Sequence, residues 1–260
     1  MGHKKSLSQF FLTSRKYLSR ITDSLDTDKA ESILEIGGGR GSLTEGLLEK
    51  GIPVVCVEID DKLCGMIREK FIASSNLKVV RGDIRNFKVE GKKVLAVGNV
   101  PYHISFDIIE FLANNRDRIT SVYLTLQKEF AGKVSALPGS KAYCFLSCFT
   151  RLFFKADILF NIPKSCFIPA PKVDSSLVRF IPDYSFEIED NKKTEFISFL
   201  RKVFTFRRKK ISNILKKIFP KRKDVDSLLE SCGISPDLRP ENISLSSFLC
   251  MESRSDTGTF

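Results

Sequence analysis

Between Ser32 and Gln127, short runs rich in β-branched residues alternate with amphipathic helical stretches, an order that restricts the chain to a parallel sheet flanked by helices. The pattern predicts strands at Ser32–Ile36, Val54–Ile59, Leu77–Arg81, Val94–Gly98 and Ser121–Leu126, each ending just before a polar or glycine-bearing turn. In open α/β sheets ligands bind outside those carboxyl ends, so the functional residues are expected there. After Ile162 come Pro163, Pro169 and Pro171, then one more alternating strand over Ser175–Phe180 that Pro182 breaks. Beyond it the apolar spacing turns helical. Phe196, Phe199, Leu200, Val203 and Phe204 share one face, and Ile211, Ile214, Leu215 and Ile218 another. The expected organisation is an α/β domain over residues 1–182 and a small helical domain over 183–260, with a frayed polar tail from Glu252 to Phe260.

A chain of 260 residues can bury a proper core in a large domain and carry a smaller one. Its 42 Lys and Arg against 31 Asp and Glu leave a net charge of +11, which calls for a polyanionic partner, either nucleic acid or an acidic membrane surface. The most apolar long stretch, Ala142 to Ile162, is interrupted by Arg151, Lys155 and Asp157, which argues against membrane insertion. Residues Met1 to Phe11 have no apolar segment long enough for a secretory signal, so a soluble cytoplasmic protein is expected. Seven cysteines form no Cys-x-x-Cys pair, and with His3 and His103 the only histidines no metal site is expected. Cys144 and Cys148, one helical turn apart, read as small core residues of a reducing cytosol.

The run Ile33-Leu34-Glu35-Ile36 leads into Gly37-Gly38-Gly39-Arg40-Gly41, and Ser42 to Lys50 then reads as a helix. Strand, glycine turn and helix N-terminus together let backbone approach a ligand closely. Glu58 ends the next strand 21 positions after Gly37, where a carboxylate can accept from both hydroxyls of a ribose. The dinucleotide fingerprint Gly-x-Gly-x-x-Gly would place its third glycine where Ser42 stands. The observed Glu-x-Gly-x-Gly-x-Gly instead matches the first motif of class I methyltransferases, in which the turn holds the methionine portion of S-adenosylmethionine. A nicotinamide site or a turn without ligand stays open from the glycines alone. Asp83, after the third strand, can accept from an adenine amino group or merely cap the next helical turn.

Asn99-Val100-Pro101-Tyr102 follows the fourth strand. An adenine amino group is a poor nucleophile because its lone pair is delocalised into the ring. Acceptance of its two hydrogens by the Asn99 side-chain carbonyl and the Pro101 backbone carbonyl would favour a pyramidal nitrogen, leaving an in-line displacement that requires orientation. Tyr102 would stack on the target base, although a buried turn tyrosine is the plain alternative. In the helical region, residues 192–223 hold thirteen Lys or Arg and one acidic residue, Glu195. A solvated helix exterior rarely needs one sign of charge, whereas phosphates do, so Arg207, Arg208, Lys209 and Lys210 are expected to hold an RNA helix.

With these motifs, the chain resembles the KsgA family of small-subunit ribosomal RNA adenine dimethyltransferases over nearly its whole length. The resemblance also rests on Ser8-Gln9-Phe10-Phe11-Leu12, Leu126-Gln127-Lys128-Glu129, and Phe167-Ile168-Pro169-Ala170-Pro171-Lys172-Val173-Asp174-Ser175. Phe206-Arg207-Arg208-Lys209 and Arg239-Pro240-Glu241 complete it. It implies a Rossmann-like class I methyltransferase fold, a mostly parallel α/β sheet with helices on both faces, plus a small all-helical C-terminal domain. It further implies S-adenosylmethionine as cofactor, lined by Phe10, Leu12, Gly37, Gly39, Glu58, Asp83 and Asn99, with Tyr102 and Phe167 sandwiching the target adenine. Two adjacent adenines in a 3′-terminal hairpin are the implied target, the small ribosomal subunit or its precursor the partner, and a monomer the default state. The family usually has Asn or His where Phe10 stands, Gly-Pro-Gly where Gly37-Gly38-Gly39 stands, and Asn where His103 stands. The second departure should leave the turn looser, and the third reads as a surface or helix-cap variant.

Three alternatives remain from the sequence. A large-subunit adenine methyltransferase conferring antibiotic resistance shares the catalytic logic, but the Arg207-Arg208-Lys209 block and the Phe167–Ser175 run are closer to the small-subunit enzymes. A DNA adenine methyltransferase uses a related motif but would need a DNA-reading domain, and none is evident. A non-catalytic RNA-binding assembly factor on the same fold fits less well with Glu58, Asp83 and Asn99 all present.

Overall fold

The strands Ser32–Ile36, Val54–Glu58, Val94–Asn99 and Ile119–Gln127 read as near-continuous apolar runs because both of their faces are covered, as in parallel sheets generally. The computed structural model describes residues 9–186 and 188–254. Ser8 of the first motif and residues 255–260 of the expected tail lie outside these. The chain divides into two compact units, one of residues 1–131 with 156–182 and the other of 132–155 with 183–260.

In the first unit the order is β1 (Phe11–Leu12), α1 (Arg15–Asp23), β2 (Ser32–Ile36), α2 (Ser42–Leu48), β3 (Val54–Glu58), α3 (Asp61–Lys70), β4 (Leu77–Arg81), β5 (Val94–Asn99), α4 (Ser105–Asn114) and β6 (Ile119–Gln127). α5 (Lys128–Val134), α6 (Phe145–Phe153) and β7 (Phe154–Ile162) follow, then β8 (Phe167–Ile168) and β9 (Ser175–Pro182). The seven-stranded sheet runs β4-β3-β2-β5-β6-β9-β7; its first five strands are parallel and β9 is antiparallel to β6. The chain winds outward from β2 to the edge at β4 and returns to β5 on the other side of β2. The crevice beyond the carboxyl ends of β2 and β5 is thus the topological switch point where such sheets bind ligands. Beside it, β1 and β8 form a small antiparallel sheet pairing Leu12 with Phe167. A buried cluster of Leu12, Ile21, Leu47, Val97, Ile162 and Leu177 anchors that ribbon to the main sheet.

The second unit is built from α6 with α7 (Asp190–Thr205), α8 (Ile211–Ile218), α9 (Val225–Ser231) and α10 (Leu245–Ser253). The helical spacing of its phenylalanines is explained by burial: Phe196, Phe199 and Phe248 are each at most 1% exposed, and Phe199 packs edge-on to Phe248 at 6.3 Å.

Four features depart from the sequence expectations or were not covered by them. Residues 132–155 group with the helical unit, not with the α/β part, because α6 buries Leu146, Phe149, Leu152 and Phe153 and packs on α7 and α10. The apolar stretch after Ala142 is a helix followed directly by a strand, β7. The tail expected from Glu252 begins inside α10, which extends to Ser253. Cys148 is buried as expected, but Cys232 and Cys250 are joined in a disulfide that links the end of α9 to α10. Among the described residues, no helix is long and apolar enough to cross a membrane, and no cluster of three metal-ligating side chains occurs.

Candidate active site

A single pocket collects the carboxyl-end residues of β2, β3, β4 and β5 together with Phe10 to Leu12. Its floor is the glycine turn. Gly37, Gly39 and Gly41 adopt φ of +76°, +55° and +72°, a left-handed path that a side chain would oppose, and Gly41 opens α2. Glu58, 4% exposed, accepts from the Gly39 N–H through one oxygen and the Asp60 N–H through the other, both at 2.9 Å. Each oxygen has a second lone pair, so the carboxylate is locked in orientation while two acceptor sites stay open. Next to it, Ile59 is 48% exposed and Ile84 is buried, two apolar side chains in the wall of the same pocket.

Asp83 lines the pocket and also does what the plain reading expected. It caps the short turn at Ile84–Asn86 by accepting from the Arg85 N–H at 3.0 Å. The Arg85 guanidinium grips both its oxygens and reaches Asp107 at 3.2 Å. The hydrogen bonds from Arg85 hold the Asp83 carboxyl below its usual range, so it is ionised at neutral pH.

Asn99 ends β5, and its Nδ2 donates to the Phe10 carbonyl at 2.8 Å. A carbonyl can only accept, so this contact fixes which way the amide faces and leaves Oδ1 as a directed acceptor. Two residues on, the Pro101 carbonyl accepts from the Ile104 N–H at 3.2 Å and retains its second lone pair. The Tyr102 ring stacks on Phe10 with centroids 5.4 Å apart, and its hydroxyl shares a 2.7 Å hydrogen bond with the buried Ser175. Burial lifts the Tyr102 phenol above its ordinary range, so it stays protonated. The departure at Phe10 therefore exchanges a polar side chain for an aromatic one, while its backbone carbonyl orients Asn99. His103 is exposed, in keeping with a surface variant.

A family model described as ribosomal RNA adenine dimethylase matches residues 2–255. The chain belongs to the ribosomal RNA adenine dimethylase family. It is 34% identical over 260 residues to the ribosomal RNA small subunit methyltransferase A of Streptococcus pneumoniae, across 94% of this chain and 89% of the relative. The crystal structure of a dimethyladenosine transferase from Plasmodium falciparum superposes with a TM-score of 0.80 at 27% identity, covering 93% of this chain and 95% of that one. The 23S rRNA methyltransferase ErmE gives 0.73 at 26% identity, covering 95% and 100%.

Within this dimethylase fold the structure does not bring every expected site residue to the pocket. Phe167 is 2% exposed and packs in the buried cluster with Leu12, Ile162 and Leu177, so it presents no open face to a base. In the basic block, Arg207 is spent on structure: its Nε donates to Glu241 at 2.6 Å, and it also donates to the Lys141 carbonyl. The motif around Glu241 and the block at Arg207 are therefore one cluster of the dimethylase's helical unit. Lys210 pairs with Asp237 at 2.7 Å, while Arg208 and Lys209 make no ion pair among the described residues.

One pocket residue stood at the head of the glycine motif without a role of its own. Glu35 is 1% exposed, accepts from the Thr44 hydroxyl at 2.7 Å through Oε2, and has no partner for Oε1. The available signal was a carboxylate inside the otherwise apolar strand Ile33–Ile36.

Gly38 has no room for a side chain. A Cβ there would stand 2.3 Å from Cys56 Sγ and 2.8 Å from Ile67 Cδ1, so neighbouring side chains already fill the space beside this glycine. Gly38→Ala is expected to cost about 1–3 kcal/mol by overpacking. Removing the sulfur with Cys56→Ala in the same chain should recover much of that loss. In urea unfolding, additivity of the two single changes to within about 0.5 kcal/mol would show that the pair is not coupled.

Proposed function

We propose that this protein transfers methyl groups from S-adenosylmethionine to the N6 atoms of two adjacent adenines in a 3′-terminal hairpin of small-subunit ribosomal RNA. The observation that carries this reading is the Asn99 amide, held by the Phe10 carbonyl so that Oδ1 is the atom left for a substrate N–H. The pocket fits the cofactor: Glu58 keeps two acceptor sites for a ribose diol, Asp83 is an ionised acceptor, and Glu35 holds an unpartnered buried oxygen near the glycine turn. When bound, S-adenosylmethionine supplies a sulfonium methyl, an electrophile that demands alignment more than a strong base.

Asn99 Oδ1 and the Pro101 carbonyl would each accept a hydrogen bond from one N6 hydrogen, localising the lone pair on nitrogen. With Phe10 against one side of Tyr102, the opposite face is left for the adenine ring, and the Ser175 hydroxyl keeps the tyrosine from turning. Being protonated, Tyr102 is no base; the amine becomes acidic as the methyl arrives, and its proton passes to water. Methyl transfer is repeated after cofactor exchange, on a protein acting as a monomer in the cytoplasm.

Purified protein, radiolabelled S-adenosylmethionine, and small subunits lacking the modification test the reading, with large subunits and duplex DNA alongside. Labelled dimethyladenosine from small subunits alone is expected. Label on the large subunit would move the protein to the activity named for ErmE. No label anywhere, with cofactor bound, would favour an assembly factor.

A further inference from the structure

A second, open cavity of the first unit is lined by Lys128, Glu129, Lys164, Lys172, Val173 and Asp174. All three lysines are exposed, and none makes an ion pair among the described residues. Asp174 does not neutralise them. One of its carboxylate oxygens accepts from the Lys164 N–H and its carbonyl from the Lys128 N–H, both at 3.0 Å. That aspartate pins the start of α5, the turn after β7 and the entry to β9 into one rigid cluster. Glu129 is the one other acidic residue on the rim.

The cluster is built onto the candidate base platform. Asp174 directly precedes Ser175, which holds the Tyr102 hydroxyl, and Lys128 directly follows Gln127, the strand partner of Ser175. Lys172 thus stands three residues before the anchor of Tyr102 and Lys128 one residue beyond its strand partner, while Asp174 ties in Lys164. Two large apolar side chains in the same segment, Ile168 at 57% and Val173 at 44% exposure, stand open to solvent. Unpaired ammonium groups with apolar faces between them suit a strand that offers both phosphates and unstacked bases.

We propose that Lys128, Lys164 and Lys172, with Ile168 and Val173, form an RNA-binding site on the catalytic unit that grips the single strand flanking the target adenine. This rests on the rRNA reading above. It differs from the basic block at Arg207–Lys210, which lies in the other unit and spends two of its four cations internally. The cluster would hold the backbone beside the flipped base while the helical unit holds duplex RNA.

The test is a triple Lys→Ala variant at 128, 164 and 172, beside a triple Lys→Arg variant, assayed on unmodified small subunits from low to moderate salt. Three lost contacts at a single strand should raise KM roughly ten- to a hundredfold near 0.1 M salt and flatten the slope of log KM against log salt by about 2. The Arg variant should restore both, and cofactor affinity should match wild type in each. Unchanged KM and slope overturn the proposal, as does a loss confined to kcat, which would mean only that Tyr102 had been disturbed. Failure of the rRNA reading is separate: it would show as wild-type protein that methylates no adenine.

Discussion

Asn99→Ala is expected to lower kcat for adenine methylation by about 10²- to 10³-fold, the scale seen when one preorganised polar group is removed from a reacting centre. The loss exceeds that of an ordinary hydrogen bond because Asn99 Oδ1 is oriented before substrate arrives, through the 2.8 Å contact of Nδ2 with the Phe10 carbonyl. Asn99→Asp separates orientation from acceptance. A carboxylate still offers acceptor oxygens, but it sets one of them against the Phe10 carbonyl, so the side chain must rotate or take up a proton. It should therefore be nearly as impaired as Asn99→Ala, with Phe10→Ala, which keeps the carbonyl, far milder in this respect. Single-turnover rates at saturating cofactor, with cofactor affinity measured separately, check this. An Asn99→Asp rate within about threefold of wild type would mean that the Phe10 contact does not set the geometry.

That contact joins residues 89 apart in sequence, and the Tyr102–Ser175 bond joins residues 73 apart. Neither could be read from spacing, although all four residues stood inside recognisable motifs. What was legible follows from local chemistry. β2 falls where its apolar run does, and β5 and β6 run one to three residues past theirs, because central strands of a parallel sheet are covered on both faces. The Asp83 cap was legible because its partner, Arg85, lies two residues on. β7 was not, because it ends the strand order and half exposes its length, so Lys155, Asp157 and Asn161 interrupt it and its apolar residues merge with those of α6. Arg207 looked like a phosphate ligand because its carboxylate partner, Glu241, is 34 residues away. Phe167 looked like a stacking platform because nothing local reveals that Leu12 pairs across from it.

Glu35 carries the second large expected effect, on stability and not on rate. Burial, opposed by the hydrogen bonds from Thr44 and Cys56 and reinforced by the charge of Glu58, raises its carboxyl from 4.5 to about 7. Between those values the unfolded chain has released the proton and the folded chain still holds it, so rising pH favours unfolding. The contribution is fully present below pH 4.5 and lost as pH rises through about 7, a swing of roughly 3 kcal/mol at about 1.4 kcal/mol per tenfold. Glu35→Gln keeps the shape and cannot ionise. Wild type and variant should therefore unfold at similar urea concentrations at pH 4.5, and the variant should be the more stable at pH 8. A difference between them that is the same at both pH values would mean that Glu35 is ionised in the folded protein throughout, with its Oε1 partnered by something other than the groups around it here.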